Sequence, residues 1–259
     1  MLELEQIESF YPDFLRPHKR NLLREYLQYK ILETVFASEF AVNLSFMGGT
    51  AIHIAHGLPR FSEDLDFDNR GLKKEDFRHL AMQVSKRLER EGYKIELKIS
   101  PGPASRISFK ILDILYKSNL SNHRGEKMVI NLDAEPQEYS YKTDRIIINK
   151  FDVFTRINVV PATTLLSQKI YAIFTRKRPM GRDFYDVLYL SGKVKPDFNY
   201  LKLKLDIGDF KVLKRKLLKF CKSLNFKKLA KDVSPFLFIP KDADKILLFP
   251  EYIRNPGNP

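Results

Sequence analysis

A chain of 259 residues that is 44% hydrophobic holds enough apolar material for one large domain or two small ones. No apolar run reaches the ~18 residues a membrane-spanning helix needs, and the acidic start from Met1 to Glu8 is unlike a basic secretory leader, so a cytoplasmic protein without membrane attachment is expected. The single cysteine, Cys221, excludes an internal disulfide and reads as a core or surface thiol, while five scattered histidines argue against zinc.

The chain opens with helical patterns over Leu4–Phe14 and Pro17–Phe40. Asn43–Met47 is apolar enough for a buried strand, and Thr50–His56 has the spacing of a short helix ended by Gly57. Gly48 and Gly49 form the turn between them. Without Cβ atoms they let backbone N–H groups approach a phosphate, and the following helix start adds favourable partial charge. The same pair also suits an ordinary tight turn.

Next comes the most informative run, Phe61-Ser62-Glu63-Asp64-Leu65-Asp66-Phe67-Asp68. In a strand, side chains alternate, so Asp64 and Asp66 share one face while Leu65 and Phe67 enter the core. Two carboxylates roughly 6 to 7 Å apart along a strand repel unless a cation lies between them, and a hard divalent ion with oxygen ligands answers that need. Mg²⁺, or Mn²⁺ in its place, is therefore expected on Asp64 and Asp66. The plainer alternative is an exposed strand face, with Asp64 paired to Arg60.

A helix is predicted over Lys73–Glu91, then strands over Tyr93–Ile99, Arg106–Leu115 and Lys127–Asp133, divided by turn signals at Pro101-Gly102-Pro103 and Ser118–Gly125. These would join the Asp64 strand in a mixed sheet. Asp133 closes the third strand, where an aspartate is also an ordinary turn former, and Glu135 follows it. Short strands near Ile146 and Ile157 lead to Pro161, which opens a helical region.

Within that region a helix over Thr164–Thr175 gives Lys169 a defined face, and a break at Arg178–Gly181 precedes a new helix at Arg182. Asp183 and Asp186 then share a face, and Arg182 with Asp186 has the spacing of an ordinary helix ion pair. From Lys193 to Lys231 thirteen Lys/Arg face three Asp, which concentrates +10 of the total charge of +13. Phe210, Leu213, Leu217, Phe220 and Leu224 recur there at helical spacing, with Lys211, Lys214, Arg215, Lys219 and Lys222 mostly on other faces. Such a helix suits an RNA backbone, but equally a solvated face, a membrane surface or an acidic protein. The expected class is α+β, divided into residues 1–160 and 161–259.

Strand, Gly-Gly-Thr, short helix and Asp-Leu-Asp-Phe, in that order, resemble the signature of the nucleotidyltransferase superfamily. The resemblance narrows with Gly48-Gly49-Thr50, the run from Arg60 through Ser62 and Asp64 to Phe67, Lys169 followed by Arg176, and Arg182-Asp183-Phe184-Tyr185-Asp186. This set is similar to the AbiEii/AbiGii family of nucleotidyltransferase toxins and covers about residues 46–188. The Lys169-to-Arg176 spacing is looser than the family's, which leaves Arg176 without an assigned role.

That resemblance implies a nucleotidyltransferase-type mixed sheet flanked by helices, with a nucleoside triphosphate as substrate. It implies Asp64, Asp66, Asp133 and Asp186 as catalytic residues, Asp133 as a third acid on a neighbouring strand and Asp186 as a general-base candidate. Gly48, Gly49, Thr50, Arg60, Ser62, Lys169, Arg182 and Asp183 would bind the nucleotide, Lys169 through its phosphates. It further implies a prokaryotic toxin with a cognate antitoxin and RNA such as tRNA as acceptor, reached through the Lys193–Lys231 segment. Two alternatives stay open: a transferase for small-molecule hydroxyls of the antibiotic-modifying kind, and a non-catalytic RNA- or protein-binding module on the same fold.

Overall fold

The computed structural model describes residues 1–100 and 105–255, so the turn expected at Pro101-Gly102-Pro103 lies outside the described residues. The chain divides into two compact units, one of Met1–Ala55 with Phe61–Val160, the other of His56–Arg60 with Pro161–Pro259. The short segment His56–Arg60 therefore leaves the first stretch of sequence and belongs with the helical unit.

The first unit is built on one mixed sheet. Its strands are β1 (Leu44–Met47), β2 (Leu65–Asn69), β3 (Lys94–Ser100), β4 (Ser105–Leu112), β5 (Met128–Glu135), β6 (Asp144–Lys150) and β7 (Val153–Val159), in the spatial order β3-β4-β5-β2-β1-β7-β6. β2 runs parallel to β5 and β1 parallel to β7, and the remaining pairs are antiparallel. The alternation of the central strands explains their placement. Leu65, Phe67, Leu132, Ala134, Ile107 and Phe109 are buried, and the residues between them present a polar face.

Helices α1 (Leu4–Glu8), α2 (Lys19–Ala37), α3 (Gly48–His56), α4 (Lys74–Arg90) and α5 (Ile114–Lys117) also begin in this stretch. α4 buries Phe77, Leu80, Ala81, Val84 and Leu88 at helical spacing, carries acids in its first turn and arginines in its last, and stops before Gly92 at φ +93°. α2 buries Leu22, Tyr26, Leu27, Ile31 and Val35 together with three polar residues, Glu25, Gln28 and Lys30.

Several boundaries differ from the sequence pattern, among them the end of β5, which runs through Asp133 to Glu135 instead of closing at Asp133. The first helix stops at Glu8, and Asp13–His18 forms a separate 3-10 turn around Pro17. α3 already begins at Gly48, so the glycine pair is the helix start rather than a turn before it. β2 begins at Leu65, leaving Asp64 one residue upstream. β4 ends at Leu112, because Asp113 at φ +59° turns the chain into α5.

The second unit contains α6 (Ala162–Thr175), α7 (Gly181–Ser191), α8 (Phe198–Leu205), α9 (Phe210–Cys221), α10 (Phe226–Val233) and α11 (Phe249–Arg254). Asp197, Asp209 and Asn225 cap α8, α9 and α10, each side chain accepting from backbone N–H groups of the first turn. Position 181, the first of α7, requires glycine because a Cβ there would lie 2.0 Å from the Leu229 carbonyl oxygen on α10, and the Gly181 N–H donates to Asp232 at 2.9 Å. Among the described residues no helix is long and apolar enough to cross a membrane.

Candidate active site

In the first unit the register of β2 on β5 sets Asp66 beside Asp133, and that of β4 on β5 sets Arg106 beside Asp133 and Ser108 beside Asn131. Paired residues of adjacent strands project to the same face, so carboxylates, amide and guanidinium gather there. The sequence-predicted Asp64, Asp66 and Asp133 are thus brought together with Gly48, Gly49 and Thr50.

Asp64 is placed by groups from three elements although it lies outside the strand. Asn131 donates to its Oδ1 at 2.9 Å, and Ser108 donates to the Asn131 Oδ1 at 2.7 Å. The Thr50 hydroxyl, fully buried, donates to the Asp64 carbonyl. Upstream, Gln28 of α2 donates to the carbonyls of Ser62 and Glu63, both at 3.0 Å. Thr50 therefore positions Asp64 with its hydroxyl, and only its backbone N–H remains for the phosphate-binding part expected of it. Ser62 likewise contributes its carbonyl to holding the loop.

Gly48 sits at φ +78°, and a Cβ on it would lie 2.2 Å from Asp66 Oδ2. Both facts require glycine. Gly48→Ala is expected to destabilise the protein by about 1–2 kcal/mol from the left-handed backbone alone and to push the Asp66 carboxylate aside, lowering activity beyond what the stability loss explains. Urea midpoints beside initial rates test this, and wild-type rates in the folded variant would refute the required close approach.

Asp133 makes a two-pronged salt bridge with Arg106, Nε to Oδ1 and Nη2 to Oδ2 both at 2.6 Å. Hydrogen bonding to Asp133 raises the Arg106 pKa, with further support from the charges of Asp64 and Asp66. Oxygen donors of this kind suit a hard cation. Among the described residues no group of three His, Cys, Asp or Glu is arranged to hold a metal, so an ion drawn to this face would complete its shell with other oxygen donors. That fits Mg²⁺, which commonly takes one or two carboxylates and completes its shell with water and substrate phosphate.

Two further acidic positions have structural partners. Asp68, buried in β2, accepts from the Gln137 N–H at 2.9 Å and the Tyr141 hydroxyl at 2.5 Å, fastening the loop after β5. Glu25 accepts from Lys150 at 2.7 Å and pairs with His53 at 3.0 Å. Burial raises the Glu25 carboxyl, but His53 and Lys150 more than offset this and bring it down to about 2. His53 is thus a packing residue with a buried partner.

In the second unit Asp186 is fully buried, and Arg60 grips it with Nε at 2.7 Å and Nη2 at 2.8 Å while Lys169 Nζ lies at 2.8 Å. Lys169 also reaches Asp183 at 3.3 Å, and Arg176 meets Asp183 at 2.6 Å. Burial alone would raise the Asp186 carboxyl, yet Arg60 and Lys169 hold it below its ordinary value. The salt bridges of Asp186 thus run to Arg60 and Lys169 rather than to Arg182 one turn back. A carboxylate held ionised between two cations suits orienting Lys169 better than taking a proton. Arg60, 1% exposed, has its guanidinium committed to that carboxylate instead of facing solvent where a nucleotide could meet it. Arg176, unassigned from sequence, completes this network.

The basic helix resolves into two sets. Lys211, Arg215, Lys219 and Lys222 are exposed at spacings of four, four and three residues, whereas Lys214 donates to the Arg254 carbonyl and Lys216 to the Leu205 carbonyl. Leu213, Leu217 and Cys221 are buried, and burial pushes the Cys221 thiol up to about 11, which suits an inert core thiol.

Among solved structures the fold is shared by JHP933 from Helicobacter pylori, at a TM-score of 0.56 and 18% identity over 90% of this chain and 91% of that one. It is shared equally by a candidate nucleotidyltransferase from H. pylori, with a TM-score of 0.56 and 17% identity over 92% of this chain and 98% of that one. No curated protein sequence matches the chain. The class of the chain, a nucleotidyltransferase carried on a mixed sheet with a helix starting on glycine, follows from its family. The family model for the nucleotidyl transferase AbiEii toxin, type IV TA system, matches residues 30–236, and the chain belongs to that family. Family membership makes it an enzyme with a nucleoside triphosphate as donor substrate.

Proposed function

We propose that the protein transfers a nucleoside monophosphate from a nucleoside triphosphate to a hydroxyl of RNA, with Mg²⁺ as cofactor, as the toxin of a cytoplasmic toxin–antitoxin pair. The observation that carries this reading is the close approach of Gly48 to Asp66, with Asp64 held alongside by Asn131 and Thr50. Asp64 and Asp66 would hold Mg²⁺, which when bound supplies charge stabilisation to the triphosphate and the departing pyrophosphate. The N–H groups at the start of α3 face outward from a helix terminus, where an anion is favoured. The acceptor hydroxyl attacks the α-phosphate in line with the leaving pyrophosphate. Within the helical unit, Asp183 and Asp186 orient the ammonium group of Lys169.

RNA is favoured as acceptor by the exposed stripe of Lys211, Arg215, Lys219 and Lys222. Replacing the four by glutamine is expected to weaken RNA binding and to flatten the slope of log K against log salt by ~0.7 to 0.9 per lost phosphate contact. Filter binding across a salt series measures it, and an unchanged slope would remove the stripe from RNA recognition. Family membership makes a cognate antitoxin the expected protein partner.

The deciding experiment incubates purified protein with each α-labelled NTP, Mg²⁺ and total RNA. Label in an RNA band supports the proposal. Label confined to small molecules would favour the small-molecule reading, and none under any condition would defeat transferase activity on these acceptors.

A further inference from the structure

Arg106 lies directly over the acidic face. Its strand register sets it beside Asp133, its guanidinium occupies both Asp133 oxygens at 2.6 Å, and it feels the charges of Asp64 and Asp66 as well. Three carboxylates on one face repel one another, and arginine remains charged at every accessible pH. The guanidinium therefore neutralises part of a charge that a divalent ion would otherwise neutralise. With each of its oxygens accepting from Arg106, Asp133 has its charge already partly neutralised, so a metal drawing on Asp133 competes with the guanidinium. Release is feasible, because the Arg106 side chain is 53% exposed while that of Asp133 is 17% exposed. Water or a phosphate oxygen can accept the freed donors.

We propose that Arg106 is a resident counter-cation that competes with the divalent metal for Asp133 and so sets the metal affinity of the site, an inference that rests on the metal-dependent reading above. In the metal-free protein Arg106 holds the acidic face together. On metal entry it yields Asp133, and its guanidinium becomes available to an incoming phosphate. The residue acts on the metal through Asp133, as a positioning residue.

The test uses the full chain, stripped of metal, with Mn²⁺ alone as probe and no nucleotide, free Mn²⁺ being read by electron paramagnetic resonance. Arg106→Gln is expected to bind Mn²⁺ about three- to fivefold more tightly than wild type, the scale of a half-exposed ion pair. It should melt at a lower temperature without metal and show a larger rise on adding Mn²⁺. Arg106→Lys, a point charge that cannot hold both oxygens, should fall between. Equal or weaker Mn²⁺ affinity in a folded Arg106→Gln protein would overturn the proposal. Should that variant not fold, unchanged affinity in Arg106→Lys would overturn it as well. Absence of Mn²⁺ binding in all three proteins would also sink it, while the wider reading would still be judged separately by wild-type label transfer.

Discussion

Asp66→Asn is expected to reduce nucleotidyl transfer by at least ~10²-fold, the scale on which several kcal/mol of transition-state charge stabilisation is lost, and Asp64→Asn to do the same. Neither should unfold the protein. Each substitution takes one negative charge from a face that carries Asp64, Asp66 and Asp133 with Arg106 as the neighbouring cation, so the metal-free melting temperature should hold or rise. In Asp64→Asn the Asn131 amide still finds an oxygen acceptor at the same position. Stabilisation by Mg²⁺, visible in wild type as an upward melting shift, should shrink in both variants. Initial rates of label transfer at matched Mg²⁺ and nucleotide, beside melts with and without metal, form the check. Wild-type rates in either variant would exclude that carboxylate from the chemistry.

A second large effect is expected in the helical unit, where Asp186→Ala should destabilise the protein by about 3–5 kcal/mol, because it leaves Arg60 and Lys169 buried without their shared counter-charge. Asp186→Asn keeps a hydrogen-bond acceptor and should lose less. The pH dependence carries the same signature. Burial pushes the Asp186 carboxyl up, but Arg60 and Lys169 more than offset this and hold it below the ordinary aspartate value. A depressed folded-state pKa stabilises the protein fully above the unfolded value and less as pH falls through the folded one. Wild type should therefore lose stability between about pH 5 and lower values, and the alanine variant should lose less over the same window. Urea unfolding at a series of pH values reads both. A loss of only ~0.2 to 0.5 kcal/mol would instead mark an exposed helix pair.

The Asp-Leu-Asp-Phe run, the glycine pair and the helix after them were readable because their chemistry is local. Period-two alternation, a missing Cβ and a helix-ending glycine each act within a few residues. The helical break at Arg178–Gly181 was readable for the same reason, although the need for glycine there comes from the Leu229 carbonyl on α10. Less legible were the ends of elements. The left-handed Asp113 that stops β4 carries no unique sequence mark, since aspartate also occurs within strands and turns.

What the linear order of residues settles here is the α+β class and the family motifs, with the acids Asp64 and Asp66 among them. The partners that give those acids a fixed geometry come from folding. Asn131 reaches Asp64 across 67 positions of sequence and Arg60 reaches Asp186 across 126, separations that no periodicity encodes. Arg106 meets Asp133 because two antiparallel strands settle into one register, and a slip of one residue would turn it to the opposite face. Register and helix docking are set by the burial of Ile107, Leu132, Leu65 and Phe67 on the far side of the sheet and by the closeness of α7 to α10. Those are sums over many weak apolar contacts. Hence the reactive residue types can be found by local spacing, while their ionisation, reach and division of labour follow from packing between distant segments.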